Sequence, residues 1–412
     1  MEKIMTTTTE KHKWEFAPRF RRSAFGWRSQ AAITRVKEAV SEIKKLAKKD
    51  PVLAAEGAVL FLEKVSPALE NVDSSSGAIG SAVYRAIADL VPIITKANVE
   101  TRLRAKWLER LYEAHAADRI PYIESLGDYW GELCVTSDLA ALWAERLIGV
   151  VEQIWSGNKD RSGFFHGTFM CLSSLLRAGY HDRLLALLEK APYVSWSDRQ
   201  WGVKALVALG KKAEALRYAE MSHGLNNNPE SIALACEEIL LSSGMADEAY
   251  QRYAIAANQG TTYLSTFRAI CKKYPHKAST DILNDLVVST PGQEGKWFAA
   301  AKDAGLYELA IKLARQSPVD HRTLNRAALD FIHTQPLFAI EAGLLSLGWM
   351  LEGRGYEVAA GEVMTALDAI KRAAKVAGST DQTLLRVRML LDAYPQERFV
   401  HGVLERLVGT VY

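Results

Sequence analysis

Between residues 11 and 28, six basic side chains (Lys11, Lys13, Arg19, Arg21, Arg22 and Arg28) stand against the single Glu15 and alternate with five rings, Trp14, Phe16, Phe20, Phe25 and Trp27. Cations beside aromatics can follow a phosphate backbone while the rings stack on bases. The same rings can instead cover the apolar face that the first unit of a stacked array leaves open, or dock onto a partner. Density orders these readings. Five aromatics in 18 residues are too apolar for a purely solvated tail, and the basic excess is modest beside dedicated nucleic-acid tails. A capping or docking arm comes first. Nucleic-acid binding through Lys13, Trp14, Arg19, Phe20, Arg21, Arg22, Trp27 and Arg28 comes second, and attachment to a membrane surface third.

Elsewhere the side chains with chemical potential are scattered. None of the nine histidines forms HxxxH, HExxH or a Cys–His pair, and metal sites normally announce themselves by such clustering. His115, His333 and His401 fall within helical patterns and read as packing or surface residues. Cys134, Cys171, Cys236 and Cys271 lie at least 35 residues apart, which suits neither a structural zinc site nor a disulfide framework. No phosphate loop, dinucleotide fingerprint or nucleophile elbow occurs. The run from Asp73 to Ser81 could offer backbone N–H groups to an anion, but Ser75 or Ser76 capping a helix that begins near Gly77 is the simpler reading. The stretch from Gly127 to Cys134 mixes carboxylates with Tyr129 and Trp130, and reads as an aromatic helix anchored in a core. The expectation is a protein without catalytic residues, metal or cofactor.

Composition agrees with a folded chain: 49% of residues are apolar and 24% charged, which argues against wholesale disorder. Glu56 and Glu63 cut one apolar run, and Glu341 and Glu352 bracket another, so no stretch approaches the roughly 20 uninterrupted apolar residues of a membrane span. The Thr-rich opening has no apolar segment behind a basic start and does not read as a secretory signal; a cytoplasmic protein is expected. The basicity is local. Residues 1–50 hold 13 Lys/Arg and 6 Asp/Glu, whereas the whole chain carries only +3.

The elements that must position these residues are helices. In 31–49, Ile33, Val36, Val40, Ile43 and Leu46 step by three or four between Lys and Glu, one apolar stripe on a charged helix. Similar stretches recur over 52–72, 78–96, 99–116 and 138–155. Asn228 before Pro229 pairs an N-cap with a first-turn proline, and Thr290, Pro291 and Gln293 read as a capping box. Short turns fall at Gly179, Gly210, Gly244, Pro275, Gly305 and Pro336, in steps of 31, 34, 31, 30 and 31 residues. Such a period signals stacked helical hairpins, each of which needs its neighbours to cover its apolar face. Further turns are expected near Gly355 and at Tyr394 and Pro395.

Aligned on the four glycines, the fifth residue onward is Leu184, Ala215, Ala249 and Ala310. The sixth is Leu185, Leu216, Tyr250 and Ile311, and the twelfth is Ala191, Ser222, Ala256 and Ser317. Small residues let helices approach, and the large one fills the gap between them. This pattern resembles the second half of tetratricopeptide-type repeats over roughly 168–350. It departs from them seven residues before the turn, where Leu172, Val203, Glu237 and Phe298 replace the small residue. The resemblance implies a groove lined by the first helix of each hairpin. Carried over by register, Gln200 and Lys204 face it from one unit, and Leu234 and Glu238 from the next.

The chain is therefore read as all-α, a right-handed superhelical solenoid of about ten stacked antiparallel hairpins. Its parts are a basic and aromatic arm over 1–30, an irregular helical part over 31–155, a loop over 156–168 and tetratricopeptide-like repeats over 169–412. A scaffold or adaptor for a protein or peptide is the expected function. A nucleic-acid-associated factor using the arm and a regulatory subunit of a separately encoded enzyme are the alternatives.

Overall fold

The computed structural model describes residues 12–156, 165–224, 228–354 and 357–408, and every regular element among them is helical. The start of the arm with Lys11, most of the 156–168 loop, and Gly355 lie outside the described residues. Two compact units divide the chain, Met1–Ile239 and Leu240–Tyr412.

In the first unit, α1 (Ser29–Ala47) and α2 (Pro51–Ala68) form the opening hairpin, followed by α3 (Ala78–Lys96) and α4 (Thr101–Ala116). Asp50 accepts from Leu53 N–H and precedes Pro51, so an N-cap and a first-turn proline start α2 together. The carboxylates that interrupt the apolar run of α2 have partners on α4. Glu56 accepts from Trp107 Nε1 at 2.6 Å and from Arg110, while Glu63 takes the same guanidinium bidentately at 2.7 Å. Arg104 is buried and donates to the Ile94 and Ala97 carbonyls, both at 2.6 Å, where α3 ends. It thereby satisfies acceptors that the helix cannot, at its negative dipole end. Helix α3 is long and apolar enough to cross a bilayer, alone in this among the described residues. It packs on α1 and α2 through buried Ile79, Val83, Ile87, Leu90 and Ile94.

A short 3-10 stretch, Glu124–Tyr129, leads into α5 (Trp130–Cys134), with Trp130 fully buried. Then come α6 (Ser137–Trp155), α7 (Thr168–Arg177), α8 (His181–Leu188), α9 (Trp196–Ala208), α10 (Lys212–Glu220) and α11 (Pro229–Leu241). Asn228 Oδ1 accepts from Ser231 N–H, so α11 has the cap expected of it. The first helices of successive hairpins form one layer, in which α1 touches α3, α3 touches α5, α5 touches α7 and α7 touches α9.

The second unit holds α12 (Ala246–Ala257), α13 (Tyr263–Lys273), α14 (Ser279–Val288), α15 (Phe298–Asp303), α16 (Tyr307–Gln316), α17 (His321–Asp330), α18 (Pro336–Leu351), α19 (Ala360–Ala377), α20 (Thr380–Ala393) and α21 (Arg398–Val408). Helices α17, α18 and α19 pack as a trio. The Glu362 carboxylate draws in Arg322, the buried His321 at 2.9 Å and the Ala359 N–H.

The repeat turns share one mechanism. Gly179, Gly210, Gly244 and Gly305 have φ of 80°, 77°, 75° and 74°. In each, the N–H of the following residue donates to the carbonyl five positions back, as Tyr180 does to Leu175 and Leu306 to Ala301. That is the left-handed Schellman ending, which glycine adopts without a Cβ penalty. Every one of the six turns from Gly179 to Pro336 joins two helices.

The turn expected near Gly355 is made at Gly353 (φ 70°), and a further glycine ending stands at Gly378 (φ 65°). Three local expectations need correction. Thr290 to Gln293 is not a cap but a turn, with Gln293 N–H on the Thr290 carbonyl and Gly292 at φ 82°. Pro291 followed by glycine at positive φ favours a type II turn over a helix start. Helix α3 is entered through Gly77 at φ 69° without a side-chain cap, and Ser76 Oγ reaches only the Ala78 N–H at 3.4 Å. His333 falls in the turn after α17. Of the aligned small residues, Ala215, Ala249, Ala310, Ser222 and Ser317 are buried and Ala191 half-buried, whereas Ala256 is exposed.

Candidate functional site

The arm lies against the first hairpin. Trp14, Phe16 and Phe20 are buried at 8%, 2% and 1% exposure, and Phe25 packs on them. Phe16 and Phe20 meet Phe61 of α2 edge to face at 5.8 and 5.2 Å between centroids, a favoured aromatic geometry. The backbone N–H groups of Glu15 and Phe16 donate to Glu42 at 2.8 and 3.1 Å, and Arg19 pairs with Glu38 at 3.1 Å. Arg22 pairs with Glu70 at 2.8 Å, and that guanidinium holds the Glu70 carboxyl below its ordinary range. Lys13, Arg21 and Arg28 are exposed, and so is Trp27, at 72%. The structure thus separates the eight arm residues singled out from sequence. Trp14 and Phe20 belong to the core, Arg19 and Arg22 hold carboxylates of the first hairpin, and Lys13, Arg21, Trp27 and Arg28 face solvent.

The register-derived quartet is a surface feature of the first-helix layer. Lys204 on α9 lies over the buried Trp201 ring, its ammonium 4.2 Å from the centroid. The Lys204 side chain is exposed, yet the protein atoms crowded about its ammonium partly desolvate it and pull its pKa down, against the opposing pull of Asp128, Glu132 and Glu238. Asp128 is half-buried just before α5, and burial raises its carboxyl while Lys204 lowers it. Leu234 and Glu238, one turn apart on α11, are both exposed. Gln200 is half-buried and donates to its own helix at the Ser197 carbonyl, 3.0 Å. Glu238 is within electrostatic reach of Lys204, whereas Gln200 is turned back on α9.

No protein-family model, no curated protein and no solved structure matches this chain. The site must be judged on its own chemistry. Cys134 and Cys171 are fully buried and burial pushes both thiols up to about 12, far from a reactive thiolate. Among the described residues no three His, Cys, Asp or Glu side chains are grouped to hold a metal ion.

The sequence presents Asp128 and Glu132 only as carboxylates of an aromatic helix anchored in a core, and not as members of this patch. Their four-residue spacing was visible, but it straddles the change from 3-10 turn to α5. Only packing of that segment against α7 brings it towards α9.

Proposed function

We propose that this chain is a non-catalytic scaffold that holds a protein or peptide along the layer of first helices. The observation that carries this reading is the Lys204 patch, a cation on a tryptophan ring within the electrostatic reach of Asp128, Glu132 and Glu238, with Leu234 exposed one turn before Glu238 on α11. Charges of both signs around an apolar residue suit a polypeptide, which offers both, better than a nucleic acid. The tetratricopeptide-like register supports the same face, because that family binds along its first helices. The arm's packing lends no support to a nucleic-acid function, since Trp14, Phe16 and Phe20 are buried and have no free face on which a base could stack.

Photo-crosslinking tests the proposal. A benzoylphenylalanine placed at Leu234 in the full chain should capture a discrete partner in cells, and Lys204→Glu should abolish the capture. The same group at Leu142, which is more exposed than Leu234 (66% against 38%) and lies on the second helix α6, should capture nothing. Equal capture at both positions, or capture indifferent to Lys204→Glu, would overturn it.

A further inference from the structure

A groove of about 810 Å³ runs between α1 and α3, away from the Lys204 patch. Its floor is apolar, with Ile33, Val36 and Val40 from α1 and Ala82 and Ala86 from α3. Its rim carries Lys37, Lys44, Lys45, Lys48 and Arg85 against one carboxylate, Asp89, which is already paired with Lys44 at 2.7 Å. The arm explains this imbalance. Glu38 and Glu42, the acids of α1, are turned towards the arm, where they accept from Arg19 and from the Glu15 and Phe16 N–H groups. The lysines of α1 are left on the groove side with little to neutralise them.

We propose that this groove binds an acidic amphipathic helix of a partner protein. The proposal rests on the scaffold reading but uses a different surface. The lining from α1 and its C-cap runs from Ile33 to Lys48 in alternating steps of three and one, one helix face roughly 22 Å long at helical rise. A helix of similar length laying an apolar stripe on such a floor is a recurrent recognition mode, and the rim requires its flanks to be acidic. Shape and chemistry disfavour other anions. Val36, Val40 and Ala86 are nearly buried at 1%, 8% and 3% exposure, recessed where a flat bilayer cannot reach them. Among the described residues no aromatic lines the groove, so nucleic-acid bases find no stacking platform there.

Fluorescence anisotropy with the full chain and two labelled 15-residue peptides tests this. Both peptides are built of leucine and glutamate in equal composition, one with its leucines on a single helical face and the other with them scattered. The amphipathic peptide should bind at least tenfold more tightly. Lys37→Glu with Lys48→Glu, both exposed positions, should weaken it tenfold or more, as should Ala82→Trp, which fills the floor without changing charge. Circular dichroism verifies folding, and if Ala82→Trp does not fold the charge pair decides. Leu234→Glu should leave peptide binding unchanged, so failure here and failure of the Leu234 crosslink are separable. Equal binding of the two peptides, or binding indifferent to the charge reversal, overturns the proposal. So does tighter binding of phosphatidylserine vesicles or of a 20-nucleotide single strand that the same reversal abolishes.

Discussion

The indole of Trp14 fills the space that a side chain at Gly57 would need. A Cβ built on Gly57 would stand 2.8 Å from Trp14 Cε2 and closer still to Cη2 and Cζ2. Glycine inside α2 costs about 1 kcal/mol relative to alanine, and here it admits a ring whose burial contributes about 1.5–3 kcal/mol. Gly57→Ala should therefore lower stability by about 1–2 kcal/mol in urea unfolding, despite the better helix former. In a Trp14→Ala background the same change should stabilise by about 1 kcal/mol. A Gly57→Ala effect unchanged by Trp14→Ala would separate the two residues.

Phe20 and Trp27 lie seven residues apart in one basic arm, yet only Phe20 is in the core. Phe20→Ala should cost about 3–5 kcal/mol, and Trp27→Ala less than about 0.5 kcal/mol. Changing Arg19, Arg21, Arg22 and Arg28 together to Gln should leave the melting temperature nearly unchanged, since exposed ion pairs contribute little. A large loss in the arginine variant, with Phe20→Ala tolerated, would mean that charge and not packing holds the arm.

Ala215 and Ala249 follow their turn glycines by five residues and are fully buried. Leucine at either should overpack the neighbouring helix and cost about 1–3 kcal/mol. Ala256, aligned by sequence but exposed, should accept leucine with a change under about 0.5 kcal/mol. Equal effects at all three positions would count against the packing role.

His115 is buried, and its pKa is pushed down to about 4, chiefly by burial. Its Nε2 lies 3.3 Å from the Glu124 carbonyl, so the neutral ring donates there. The unfolded ring takes a proton near its ordinary value of about 6.5, so the unfolded state binds more protons between about 6.5 and 4. Stability should fall as pH drops through that window, by on the order of 3 kcal/mol. His115→Gln should remove most of that slope in pH-dependent melting.

Asp198, half-buried in the first turn of α9, works in the opposite sense. Burial pushes its carboxyl up to about 6. Here the folded state holds the extra proton between about pH 4 and 6, so stability falls as pH rises through that window. Asp198→Asn should therefore raise the melting temperature at pH 8 and change it little at pH 4. An equal shift at both values would show that the carboxylate stays hydrated.

The sequence by itself determined the helices and the repeat. Apolar residues stepping by three and four describe a helix wherever they fall, and Gly179, Gly210, Gly244 and Gly305 mark turns because a left-handed ending penalises any Cβ. Both signals are local, and they survive in the structure almost residue for residue. Local signals fail where a neighbour decides. Thr290 carried the chemistry of a cap, but the Pro291–Gly292 pair behind it made a turn. Ala256 kept the register of its repeat and yet lost its cover. The arm's composition favoured a cap but left a nucleic-acid contact open, because a ring buried on Phe61 and a ring free to stack are the same residue in one dimension. The groove between α1 and α3 was invisible for the same reason: its rim is basic only because folding turns Glu38 and Glu42 towards the arm. Which charges remain to meet a partner depends on which are consumed within the fold, and that is a property of tertiary contacts alone.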